Sequence, residues 1–178
     1  MRHRLHLALA VVLFASAPVF AQQHEEPHHE EAPPHANGGH VPAPPPHRDP
    51  HAAKEVEHTP DGKALDNPHV NNDHWYGHAA ADDKRFHLDH PFPHGHFEHF
   101  GPTYRYNVVR VDLRAHRFWL PGGFFFDIAA WDWAVAANWC WTGCGNIIVV
   151  YEDPDHPGWY MIYNTETGAY VHAQYMGS

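Results

Sequence analysis

Thiols, hydroxyl nucleophiles and positive charge are all scarce in this chain. Cysteine occurs twice in 178 residues, at Cys140 and Cys144, and serine only at Ser16 and Ser178. With no other serine, the folded part has no serine nucleophile to activate. "CWTGC" lacks the histidine of a haem attachment site and has one residue too many for a thioredoxin-type pair. Lysine and arginine number 11 against 21 acidic residues. Without the first 21 residues nine basic side chains remain, a formal balance of −12 with histidine neutral. Such a charge excludes nucleic acid as a partner. Long apolar runs are missing too. The run from Leu7 to Phe14 is too short to span a bilayer and is soon followed by Pro18, so the chain is not membrane-embedded.

That run instead belongs to a secretory signal peptide over 1–21. Arg2 and Arg4 supply the basic start, and Val19 and Ala21 are the small residues of a cleavage site near Ala21. Gln22 follows the cut, so no lipid anchor is indicated. The protein is expected in the periplasm or outside the cell.

What the chain has in abundance is histidine, 21 residues in all. Protonating the 19 that follow the signal would carry the formal balance to +7, centred near the reference imidazole pKa of about 6.5. Residues 22–70 hold ten prolines and nine acids, with Val41, Val56, Leu65 and Val70 as the few large apolar residues. That composition predicts a disordered, solvated tether, partly polyproline II, with no core of its own. Residues 71–100 keep the histidines and add Trp75, Tyr76, Phe86, Phe92, Phe97 and Phe100, as a strap lying against a folded part would.

Residues 101–178 carry the core. Tyr104, Tyr106 and Val108 alternate with polar neighbours, and the apolar set then shifts to Val109, Val111 and Leu113, as a bulge or a change of face requires. "HRFWL", "FFFDI", "NIIVVYE", "WYMIY" and "AYVHAQYM", separated by "PGG", "DPDHPG" and "NTETG", continue the strand and turn pattern. The expected fold is all-β: a small antiparallel sheet, or an SH3-like partly open barrel, of about six short strands. In "AWDWAVAANWCW" the alanines favour helix, but Trp131, Trp133, Val135, Ala137, Trp139 and Trp141 share one parity, and that predicts strand. Cys140 and Cys144, the only pair in an exported chain, predict a structural disulfide.

Chemistry points to metal rather than catalysis. Asp127, Asp132, His116, Asp153 and His156 combine on paper into several acid and base pairs, and no spacing selects one. Asp153, Asp155 and His156 read more simply as a polar hairpin turn. The protein is therefore expected to be non-enzymatic, without an organic cofactor. "HLDHPFPHGHFEHF" places His87, His90, His94, His96 and His99 at separations of three, four, two and three residues, so a flexible backbone could bring two or three imidazoles onto one ion. With no cysteine or methionine in the tether, and with Asp89 and Glu98 nearby, Zn(II), Ni(II) or Cu(II) suits this segment better than Cu(I).

From Ile147 onward, "IIVVYEDPDHPGWYMIYNTETGAYVHAQYMGS" resembles the second half of a bacterial SH3-like domain, through Gly158, Trp159, Tyr160, Thr167, Gly168, Tyr170, Val171, His172 and Tyr175. The stretches "RFHLDHPFPHGHF", "FWLPGGFFF" and "DPDHPGWY" are also similar to a group of exported bacterial proteins of unassigned function. The SH3-like resemblance implies binding of cell-wall peptide or glycan, with Trp159 or Tyr170 as stacking surfaces. Metal binding and attachment to a cell-wall polymer are thus the two functions the sequence offers.

Overall fold

The computed structural model of the chain describes residues 36–47 and 67–178. The signal peptide and most of the tether lie outside the described residues. Strands β1 (His69–Asn71) and β2 (His74–Tyr76) form an antiparallel hairpin, with His69 opposite Tyr76. Six further strands, β3 (Arg110–Asp112), β4 (Arg117–Trp119), β5 (Phe125–Ile128), β6 (Ile148–Glu152), β7 (Tyr160–Asn164) and β8 (Tyr170–Tyr175), build one antiparallel sheet in the order β3-β4-β5-β8-β7-β6. The last strand is inserted between β5 and β7. The sheet is open: β3 and β6 do not pair, although a single bridge joins Tyr106 to Ile148.

Period-two alternation splits the interior in two. Ile148, Val150, Tyr160, Ile162, Val171 and Ala173 face one cluster, with Phe97, Phe118 and Phe126. Their neighbours Val149, Tyr151, Met161, Tyr163 and Tyr170 face the other, with Val41, Val70 and Trp75. Strand β7 is therefore buried along its whole length. A strand covered on both faces loses the polar alternation of an exposed sheet, as "YMIYN" does. The β1–β2 hairpin covers the second face, where Trp75 meets the rings of Tyr151 and Tyr170 edge-on at 4.9 and 5.0 Å.

Two sequence expectations change here. The strand parity of 131–142 is overruled: Ala130–Asp132 is a 3-10 turn and Trp133–Ala136 a single α-turn, α1. Alanine carries no side-chain entropy cost in a helix, and Ala136, fully buried, lets the turn sit close to the sheet. The tryptophans do not form one buried face, since Trp139 and Trp141 are core while Trp131 is 38% exposed. The second change concerns the tether. Residues 36–47 dock on the sheet rather than standing free, because their carbonyls are used: Trp75 Nε1 donates to Ala43 O at 3.0 Å and the Tyr151 hydroxyl to Pro42 O at 2.6 Å.

The expected Cys140–Cys144 disulfide is present, with Cα atoms 6.1 Å apart, and closes the loop between α1 and β6. The β6–β7 hairpin turns through Gly158 at φ +90°, where an added Cβ would lie 2.9 Å from Leu88 Cδ1 and 3.1 Å from Pro91 Cα. The strap can press onto this turn only because residue 158 is glycine.

Candidate metal centre

Sheet parity and one hairpin turn bring the site together. Tyr170 and His172 share a face of β8, and Asp153, just past the end of β6, continues the parity of Val149 and Tyr151. Asp153 is held by its turn, its Oδ1 accepting from the backbone N–H of Asp155 at 2.9 Å and of His156 at 3.2 Å. His78 follows β2 and is laid over the same face by the strap. Asp132 comes from the 3-10 turn before α1 and clamps His172, its Oδ2 accepting from both the backbone N–H (2.7 Å) and Nδ1 (2.6 Å).

His78, Asp153 and His172 are the one group among the described residues in which three potential ligand side chains place donor atoms within 4.8 Å of one another. Their side chains are 3%, 0% and 2% exposed, so the cluster is sealed from bulk water. His78 Nε2 lies 3.1 Å from Asp153 Oδ1, and His172 Nε2 lies 3.7 Å from Asp153 Oδ2. Ligands bound at about 2.0–2.1 Å around a tetrahedral zinc lie about 3.3 Å apart, between those two separations.

His172 carries the sharpest signal. Its Nδ1 lies 2.6 Å from Asp132 Oδ2, and its Nε2, 3.7 Å from the Asp153 carboxylate, is buried with no hydrogen-bond partner. A neutral imidazole that gives its Nδ1–H to Asp132 turns the Nε2 lone pair toward the Asp153 carboxylate, an arrangement that a cation between them relieves. The surroundings follow the usual outer shell of a metal site, in which a ligating imidazole gives its other nitrogen to a carboxylate. His172 uses Asp132 for this, and His78 Nδ1 lies 3.5 Å from Asp155 Oδ2.

Charge agrees with geometry. His156 faces an acceptor at both nitrogens, with Asp153 Oδ2 2.7 Å from Nδ1 and the Ala80 carbonyl 2.9 Å from Nε2, an arrangement that favours the imidazolium form. Burial pulls its pKa down, but the Asp153 carboxylate and the Ala80 carbonyl outweigh that and raise it. For Asp153 burial pushes the pKa up, yet hydrogen bonds from His156 and His78 hold it well below the usual carboxylate range. Asp132, Asp153 and Asp155 thus set carboxylates around the three imidazoles His78, His156 and His172. At the rim Arg85 and Asp83 pair with each other at 2.7 Å.

The histidines of the strap are placed differently. His87, His90, His94, His96 and His99 are all exposed and do not converge. His87 lies 3.5 Å from Asp89, and His96 is held by Glu152 at 3.1 Å and packs against Phe92. Trp159 and Tyr170, the stacking candidates, are core residues. Trp159 Nε1 donates to Phe86 O at 2.8 Å and the Tyr170 hydroxyl to Tyr76 O at 2.9 Å, so neither offers a free face. Sequence reasoning passed over His78, took Asp153 for part of a turn and saw His172 only as part of a resemblance. A usable signal was present in "AYVHAQY", where His172 falls on the buried parity of Tyr170.

No known protein family, curated protein or solved structure matches this chain. Among the described residues, no helix is long and apolar enough to cross a membrane. No free thiol is available to the centre, since both cysteines are in the disulfide.

Proposed function

We propose that this protein binds a divalent transition-metal ion, Zn(II), Ni(II) or Cu(II), at His78, Asp153 and His172, with the exposed histidines of the strap and those of the tether adding weaker capacity. The buried, unpartnered Nε2 of His172 opposite Asp153 carries this reading. Two nitrogen donors and one carboxylate suit these ions. An exported setting fits a chain whose cysteines are joined, because disulfides persist in oxidising compartments.

Calorimetric titration of each ion into the chain from Gln22 onward tests it. His172→Gln should remove the tightest binding step. Replacing His87, His90, His94, His96 and His99 together by Gln should lower capacity and leave that step intact. The opposite pattern would move the site to the strap. A second reading, attachment to a cell-wall polymer, is left with the sheet edge at β3, where Arg110, Leu113, Arg114 and Trp119 line an open cleft of about 400 Å³ and Arg110 lies 3.4 Å over the Trp119 ring. Cosedimentation with purified peptidoglycan that Arg110→Ala weakens would support it.

A further inference from the structure

A sealed centre needs a way in. An ion entering from water must exchange its hydration shell for protein donors one step at a time, and it does so faster where intermediate donors line the path. The docked segment 36–47 supplies such a path. It is held by hydrogen bonds to Trp75 and Tyr151 and by the backbone bond from Ala36 N to Glu166 O at 3.0 Å. Its last residues are Pro44, Pro45, Pro46 and His47. The fixed φ of three successive prolines sets where His47 lies.

His47 stands at the surface with its side chain 81% exposed, and its Nδ1 is 3.7 Å from Asp155 Oδ1. The other oxygen of Asp155, itself 4% exposed, is 3.5 Å from His78 Nδ1. His78 then reaches Asp153 through Nε2. Donor atoms therefore run without a gap from an exposed imidazole to the buried centre. Beside them a cleft of about 150 Å³, lined by Pro45, Pro46, Asp73, His74, Trp75 and His78 among others, opens from the surface to the same His78.

We propose that this cleft is the uptake route of the centre, and that His47 and Asp155 form a transient outer site that passes a divalent ion from solution to His78, Asp153 and His172. The proposal rests on the metal reading above. His47 belongs to the route and not to the final ligand set, so it acts on rates and not on affinity. By microscopic reversibility it must speed uptake and release equally.

The test uses the chain from Gln22 onward and Co(II) alone, followed by its ligand-field absorption in stopped flow, with release measured by transfer to a chelator. His47→Ala changes an exposed side chain and should leave the fold intact. Uptake and release should both slow by roughly tenfold while the dissociation constant stays within about twofold, the loss of a millimolar-range local donor. Unchanged rates would overturn the route. A faster release with unchanged uptake would also overturn it, because it would make His47 a ligand of the bound state. If the parent chain takes up no Co(II), Zn(II) or Ni(II), the metal reading falls and the route falls with it. Asp155→Asn is the second variant, with slowed uptake expected even where its affinity is also reduced.

Discussion

Asp153→Asn tests the centre through the stability of the fold. The substitution keeps the shape, and the remaining amide oxygen can still accept the turn hydrogen bonds from Asp155 and His156. What disappears is the negative charge between His78 and His156 in a side chain of zero exposure. Removing one partner of a buried charged pair costs about 3–5 kcal/mol, because the other charge is left without compensation. For a folded part of this size about 3 kcal/mol corresponds to a drop in melting temperature of roughly 10 °C. The assay is thermal unfolding by circular dichroism with chelator and with saturating Zn(II). The parent should gain about 3 kcal/mol at an ion concentration a hundredfold above its dissociation constant, and the variant should gain nothing. A variant that melts with the parent under chelator would show that Asp153 holds no uncompensated partner. One that still gains from Zn(II) would remove Asp153 from the ligand set.

Three further outcomes follow from other parts of the structure. Asp83, held at a pKa of about 2 chiefly by its hydrogen bonds from Arg85, stabilises the fold above the unfolded carboxylate value of about 3.9 and stops doing so as the pH falls through 2. The stability gap between the parent and Asp83→Asn in urea unfolding should therefore close between about pH 4 and pH 2, and a gap that persists at pH 2 would refute the pairing. Gly158→Ala should destabilise the fold by about 1–3 kcal/mol and lower the melting temperature, because its Cβ meets Leu88 and Pro91 at a positive φ; an unchanged melt would mean the strap does not press on this turn. Reducing Cys140–Cys144 should cost about 2 kcal/mol by the chain-entropy estimate for so short a loop, read from urea unfolding with and without reductant.

The strands were legible in the sequence because alternation is a local property. "NIIVVYE", "WYMIY" and "AYVHAQYM" became β6, β7 and β8, with the turns at "DPDHPG" and "NTETG" between them. The cysteine pair was legible for the same reason, since four residues separate its members. The 131–142 stretch misled because tryptophan parity and alanine propensity disagree there, and the packing of Ala136 against the sheet decided between them. The docking of residues 36–47 was hidden because it uses backbone carbonyls that composition does not reveal.

For the site, local density pointed elsewhere. Five histidines in fourteen residues invite a metal reading, yet the prolines and glycine among them leave those side chains exposed and apart. His78, Asp132, Asp153 and His172 are distant in sequence and lie on four different pieces of the chain. Only the order β5-β8-β7-β6, with the strap laid over one face, makes them neighbours. The sequence by itself determined which residues alternate, which side chains can bind metal and how much charge they carry. The tertiary structure decided which imidazoles lose water and face a carboxylate, because burial and convergence arise from contacts between distant segments.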